Sequence, residues 1–279
     1  MSNSYRKLLG QHFLKDKNLI NKIISQIKEP QKRMILEIGA GHGELTLPLS
    51  SRCKEVIAIE IDRILFQRLR EKVKALGIEN VEILEGDILR LSLNEITGTS
   101  YEDIIIVGNI PYSISSPIID WMIGERDHIE YAILMFQKEF SKRLCALPGN
   151  RYCGVLSVIL RYYADVKELF EISKESFFPK PKVDSMLLKI QFKSHPKRLA
   201  KDEKIFREVV KASFSNRRKT ILNSLSYYFR HIKRDEIKSL LHCSHIDPKR
   251  RAESLTLDEF ITLSDIFSER YHEKETFLK

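Results

Sequence analysis

Five short apolar runs, at 34–38, 55–60, 81–87, 104–107 and 131–136, alternate with stretches whose apolar residues recur at helical spacing. Each run is short and rich in Ile and Val, and runs of this kind separated by helical patterns predict a parallel sheet covered on both faces. The fold class expected is therefore α/β and doubly wound. Open sheets of that class bind ligands at the carboxyl ends of their strands, so the residues that follow each run carry the functional information.

The first run leads directly into Gly39-Ala40-Gly41-His42-Gly43, after which 44–49 opens a helix. A glycine turn of this kind lets backbone N–H groups approach a ligand closely. Its spacing is Gly-x-Gly-x-Gly, not the Gly-x-Gly-x-x-Gly of a dinucleotide site. Glu37 would repel a pyrophosphate and suits a cationic group such as an amino-acid ammonium or a sulfonium. The second run ends in Glu60, 19 residues after Gly41, the separation at which an acid meets ribose hydroxyls. Asp62 is assigned instead to capping the next helix. The third run ends in Asp87, which suits either the exocyclic amine of adenine or an Asx-turn. The fourth delivers Gly108-Asn109-Ile110-Pro111-Tyr112: a neutral amide, a rigid proline with an exposed carbonyl, and a flat ring. Alone, this is equally a strand-ending turn with a packed tyrosine. Together the four ends describe a pocket for adenine, ribose and a cationic tail, which fits S-adenosylmethionine better than NAD.

The net charge of +9 is unevenly spread. Residues 1–33 hold 8 Lys/Arg against 2 Asp/Glu, and 193–279 hold 20 against 13, whereas 34–192 hold 19 against 23. Basic segments flanking a slightly acidic core suit nucleic acid. No apolar run approaches the roughly 20 residues of a membrane span, and the polar N-terminus predicts a cytoplasmic location. Cys53, Cys145, Cys153 and Cys243 are scattered, which fits reduced thiols. His242, Cys243 and His245 lack a fourth partner nearby and read as helix and cap residues, so no metal site is expected.

In the flanking regions, Asp16 is expected to cap a helix carrying Leu19, Ile20, Ile23, Ile24 and Ile27. Gly10, Gln11 and His12 before it fit either a ligand cover or a structural turn. After the fifth run, 166–172 and 186–192 read as strands around the loop Phe177-Phe178-Pro179-Lys180-Pro181-Lys182. A ring in that loop suits stacking on a base, and Phe178 fits a hydrophobic plug equally well. Composition shifts at 193–198, which predicts a boundary between a domain at 1–193 and a helical one at 194–279. Arg217-Arg218-Lys219 and Lys249-Arg250-Arg251 in the latter suit phosphate contacts.

Over nearly its whole length the chain resembles the KsgA/RsmA ribosomal RNA adenine-N6,N6-dimethyltransferases. The resemblance rests on Leu9-Gly10-Gln11-His12-Phe13-Leu14, Glu37 to Gly43, Glu60, Gly86-Asp87 and Asn109-Ile110-Pro111-Tyr112. It continues through Gln137-Lys138-Glu139, Phe177 to Ser185, Ser213 to Lys219 and Ile246-Asp247-Pro248. It implies a Rossmann-like class I S-adenosylmethionine-dependent methyltransferase with a small C-terminal all-α domain. The implied substrate is 16S rRNA in the immature small ribosomal subunit, dimethylated at two adjacent adenosines of its 3′-terminal hairpin loop by a monomeric enzyme. Cofactor contacts carry over to His12, Leu14, Gly39, Glu60, Asp87 and Asn109; His12 replaces the more usual asparagine. Asn109, Pro111 and Tyr112 carry over as catalytic, and Phe177, Arg217, Arg218 and Lys219 as substrate-binding.

The implied chemistry follows from the target amine. The N6 lone pair of adenine is delocalised into its ring, and acceptors at the Asn109 side-chain oxygen and the Pro111 carbonyl would let the nitrogen pyramidalise. A neutral amide does not act as a base, so catalysis rests on positioning. Tyr112 would stack on the base. After one transfer a single N–H remains and one acceptor falls idle. The competing readings are an Erm-type enzyme acting on large-subunit RNA, a non-catalytic RNA-binding assembly factor and, more distantly, an NAD-dependent oxidoreductase.

Overall fold

The computed structural model describes residues 12–98, 103–193 and 198–271. Gly10, Gln11 and the linker residues 194–197 lie outside the described residues. The strands are β1 (Phe13–Leu14), β2 (Met34–Ile38), β3 (Glu55–Glu60), β4 (Val81–Glu85), β5 (Ile104–Asn109), β6 (Ile129–Gln137), β7 (Ala164–Ile172), β8 (Phe177–Phe178) and β9 (Ser185–Phe192). Seven of them form one sheet in the order β4-β3-β2-β5-β6-β9-β7, and β1 pairs antiparallel with β8 in a separate ribbon. From β4 to β6 every pairing is parallel, and β9 runs antiparallel to β6.

The unbroken apolar runs now have their reason. Ile104, Ile105 and Ile106 are wholly buried, as are Ile35 and Leu36, because helices cover both faces of the central strands. The helices between strands are α1 (Lys17–Ile24), α2 (Thr46–Ser50), α3 (Arg63–Ala75), α4 (Leu93–Thr97), α5 (Ser115–Gly124) and α6 (Lys138–Cys145). Two start on aspartate caps that satisfy otherwise orphaned N–H groups. Asp16 accepts from Asn18 and Leu19, and Asp62 accepts from Ile64 and Leu65. The chain builds outward from β2 to β3 and β4, then returns to β5 on the other side of β2. Strand order therefore reverses between β2 and β5, where a doubly wound sheet opens a crevice.

A second compact unit comprises α7 (Val155–Tyr163), α8 (Glu203–Ser213), α9 (Ile221–Tyr228), α10 (Arg234–Cys243) and α11 (Leu257–Tyr271). The division differs from a single boundary at 193, because Lys142–Ala164 joins this unit while Asp165–Phe192 stays with the sheet. The cause is aromatic. Tyr162 stacks on Phe206 with centroids 4.5 Å apart and accepts the Ala200 N–H at 3.0 Å, and the Tyr163 hydroxyl donates to Glu203 at 2.9 Å. Phe214 and Phe260, 5.9 Å apart, extend the same core.

At the crossover, Ile38 of β2 lies opposite Gly108 of β5. A Cβ on Gly108 would sit 2.7 Å from the Ile38 carbonyl oxygen, a backbone atom that cannot move without parting the strands. Gly108→Ala is expected to cost about 1–3 kcal/mol, read as a lowered melting temperature with weakened cofactor binding; an unchanged melting curve would contradict this packing account.

Candidate active site

The ends of β2, β3, β4 and β5 surround one cavity of roughly 1030 Å³, a figure that includes its open mouth. His12, Leu14, Gly39, Glu60, Asp87 and Asn109 all line it, as do Pro111 and Tyr112. The glycine turn after β2 has positive φ at Gly39, Gly41 and Gly43. It folds over the end of β3, with the Gly39 and Ala40 N–H groups donating to the Ile59 carbonyl at 2.9 and 3.1 Å. Approach at Gly41 is close: a Cβ there would meet the Phe13 ring at 3.0 Å.

Four acids, Glu37, Glu44, Glu60 and Asp87, give the cavity its electrostatic character. Glu60 is buried and accepts the Gly41 N–H on Oε2 at 2.8 Å and the Asp62 N–H on Oε1 at 2.9 Å. Burial raises its pKa, and the backbone donors act against that rise. Asp87 caps a short turn through Oδ1, which accepts the Leu89 N–H at 3.1 Å, while Oδ2 lies 3.6 Å from Arg90. The Asx-turn reading of Asp87 is met, and the residue also lines the cavity. Glu37 is 1% exposed, and burial pushes its carboxyl up to about 8; the nearby Thr46 hydroxyl opposes the rise, and Glu44 and Glu60 add to it. Its Oε2 has no hydrogen-bond partner among the described residues. A buried, unpartnered carboxylate oxygen on a cavity wall suits a cationic ligand group. With an open glycine turn and three further acids, this set of groups fits S-adenosylmethionine and would repel a dinucleotide's phosphates.

Asn109 ends β5 with its amide held in one sense. Its Nδ2 donates to the His12 carbonyl at 2.5 Å, and because a carbonyl only accepts, Oδ1 is left as the acceptor face. His12 is itself fixed, with Nδ1 2.7 Å from the Pro179 carbonyl, so that nitrogen carries the proton. The His12 ring lies 5.4 Å from the half-buried Tyr112 ring, whose hydroxyl is within 3.5 Å of Ser185. The Pro111 carbonyl accepts the Ile114 N–H at 3.1 Å, which leaves it one lone pair.

Residues 2–269 match the model of the ribosomal RNA adenine dimethylase family. The chain belongs to that family. Ribosomal RNA small subunit methyltransferase A of Desulforapulum autotrophicum is 40% identical over 260 residues, covering 93% of this chain and 91% of its own. The protein of that name from Bacillus cereus is 37% identical over 267 residues, covering 94% and 91%. Among solved structures, a dimethyladenosine transferase from Plasmodium falciparum has a TM-score of 0.76 at 27% identity, covering 94% of this chain and 98% of that one. The 23S rRNA methyltransferase ErmE has a TM-score of 0.69 at 26% identity, covering 91% and 98%. This dimethylase is an S-adenosylmethionine-dependent enzyme of ribosomal RNA on a Rossmann-like class I methyltransferase fold.

Other expected site residues of the dimethylase lie elsewhere. Phe177, expected to contact substrate, is 1% exposed in the core beneath the sheet with Leu14 and Ile172, whereas its neighbour Phe178 is 70% exposed. Phe177 is therefore the packed ring and Phe178 the exposed one, because side chains alternate across a strand. Arg217 is exposed, but its guanidinium donates to the Arg151 carbonyl at 2.8 Å and reaches that of Cys153 at 3.4 Å, so it braces its own unit. Arg250 is likewise internal, bound to Glu259 and to the Ser254 carbonyl. Arg218 and Lys219 are exposed, with no ion pair among the described residues. Sequence reasoning passed over Ile61 and Ile88, which line the cavity. Their signal was position, each directly following a cavity acid.

Glu37 generates a pH-dependent prediction. Its folded-state pKa lies above the unfolded value, so its contribution to stability is complete below about 4.5 and is lost as pH rises towards about 8. A cationic ligand favours the charged carboxylate, so cofactor binding at pH 7 should release a proton. Calorimetry in two buffers of different ionisation enthalpy should detect that release in the wild type and not in Glu37→Gln, whose stability should also fall less between pH 5 and 8. Equal proton release by both proteins would contradict this.

Proposed function

We propose that the chain methylates N6 of two adjacent adenosines in the 3′-terminal hairpin loop of 16S rRNA. It acts as a cytoplasmic monomer on the immature small subunit and gives N6,N6-dimethyladenosine at each position. Two full-length relatives at 37–40% identity carry small-subunit names, against 26% for ErmE, and this favours small-subunit over large-subunit RNA. Among the described residues no helix is long and apolar enough to cross a membrane.

The observation that carries the mechanism is the Asn109 amide, which lines the cavity and is tied through Nδ2 to the His12 carbonyl, leaving Oδ1 as its acceptor. Bound S-adenosylmethionine supplies an electrophilic methyl group. Glu37 would attract the cofactor's ammonium, Glu60 and Asp87 would hold its ribose and adenine, and His12, Leu14 and Gly39 would close around it. The target base leaves its loop, which is less costly than leaving a duplex, and lies against Tyr112. Asn109 Oδ1 and the Pro111 carbonyl accept the two N6 hydrogens, drawing the lone pair out of the ring and aiming it at the methyl group. The N6–CH3 bond would form as the S–CH3 bond breaks, leaving S-adenosylhomocysteine, and the cationic nitrogen would then lose its proton to water. No side chain needs to remove that proton before transfer, so the catalytic contribution is orientation and fixed polarity.

The two acceptors are unequal, which suits two successive transfers. The Pro111 carbonyl already holds the Ile114 N–H, so losing a substrate hydrogen does not orphan it. The single N–H of the monomethylated base therefore goes to Asn109, and the first methyl group lies on the Pro111 side.

Asn109→Ala is expected to lower kcat by at least about 10²–10³-fold while RNA still binds; wild-type turnover would end the proposed role. Replacing Arg218 and Lys219 with Ala should weaken RNA binding and flatten its salt dependence by about one unit of slope for each phosphate no longer neutralised. Equal salt slopes would locate the phosphate-binding groups elsewhere. Assays on immature small subunits and on protein-free large-subunit RNA separate the proposed activity from an Erm-type one, and no transfer to either RNA would leave only the non-catalytic reading.

A further inference from the structure

Phe178 is the most exposed of the large hydrophobic side chains described, at 70%. Its backbone is nevertheless well held. It pairs with Phe13 across the β1–β8 ribbon, and the next residue, Pro179, receives the His12 Nδ1–H at 2.7 Å. Further along the loop, Asp184 accepts the Lys174 N–H at 3.0 Å.

The ribbon's register fixes which way the ring faces. Residues directly opposite in an antiparallel pair share a face. Leu14 and Phe177 form one such pair and both enter the core. Phe13 and Phe178 form the next pair and so share the other face. Phe13 lies on the glycine turn, with its ring 4.5 Å from that of His42, and it lines the active-site cavity. Phe178 thus shares the Phe13 face of the ribbon, while Leu14 on the other face lines the cavity as well. Phe178 is one residue from a carbonyl bound by His12, whose ring lies against Tyr112. Lys180 and Lys182 are exposed on the same loop, the former paired with Glu175. An exposed aromatic ring beside lysines suits a nucleobase flanked by phosphates.

We infer that Phe178 is a stacking platform for the unpaired RNA base next to the one taken into the cavity. This rests on the proposed function, whose substrate is a pair of adjacent adenosines. Drawing one adenosine into the pocket breaks its stacking on its neighbour, and the Phe178 ring replaces that missing face. The platform would hold the RNA in register while its target is methylated, so it acts on RNA affinity and leaves the reacting atoms untouched.

The test compares wild type, Phe178→Ala and Phe178→Trp on immature small subunits. It also uses a 3′-terminal RNA fragment with 2-aminopurine in place of the neighbouring adenosine. Phe178→Ala should raise the KM for RNA about tenfold or more and lose the fluorescence quenching seen with wild type. Its affinity for S-adenosylmethionine should not change, and Phe178→Trp should restore both RNA readouts. In an active enzyme, an unchanged KM and unchanged quenching in Phe178→Ala would overturn the assignment and leave the proposed function standing. A raised KM on particles with quenching intact would assign the ring to a ribosomal protein, which also overturns it. A wild type that transfers no methyl group to small-subunit RNA would overturn both readings.

Discussion

The parallel pairing of β2 with β5 is the contact on which the rest of the active site depends. It sets Ile38 opposite Gly108, so the turns that follow the two strands emerge side by side. One is the glycine turn and the other carries Asn109; a Cβ on Gly39 would lie 3.8 Å from the Asn109 carbonyl oxygen. The strands below are buried on both faces and tightly packed, so the turns stand on a stiff base. The proposed reaction, which relies on orientation instead of prior proton removal, needs that stiffness, because small misplacements of the reacting atoms are costly.

Two buried glutamates at neighbouring strand ends illustrate how environment divides the work of one residue type. Glu60 binds backbone N–H groups through both oxygens, and those bonds shape the glycine turn and the start of α3. Glu37, on the adjacent strand, leaves Oε2 without a partner among the described residues and is held towards its neutral form. Burying such a group costs stability unless something charged arrives to pair with it. The fold accepts that cost in the cavity wall, where the cationic ligand of the proposed function would offset it.

Features governed by local chemistry were legible in the sequence. The buried strands announced themselves as unbroken apolar runs, Asp16 and Asp62 as caps, and the glycine turn by a spacing unsuited to a dinucleotide. Long-range contacts were not legible. The bond from Asn109 to the His12 carbonyl spans 97 residues, and no local pattern marks it. The loop at 177–182 advertised an aromatic ring, but only the register of β8 against β1 decides that Phe177 turns inward and Phe178 outward. Arg217 looked like a phosphate ligand until its acceptor proved to be a carbonyl 66 residues earlier. The alliance of 142–164 with the helical unit was hidden for the same reason, since it rests on Tyr162 meeting Phe206.

The bond between Asn109 and His12 also bears on what the His12 side chain does. The contact with Asn109 uses the main-chain carbonyl, which any residue at position 12 supplies. The imidazole makes a separate bond to Pro179, and through His12 the Asn109 turn, the β1–β8 ribbon and the 177–182 loop are tied together. An asparagine amide at position 12 also has an N–H with which to reach a carbonyl, so exchanging one for the other keeps a donor there. What histidine adds is a flat ring, and that ring lies against Tyr112. In the proposed reaction it supports the Tyr112 face on which the target base rests, while the carbonyl behind it fixes the acceptor that orients the amine.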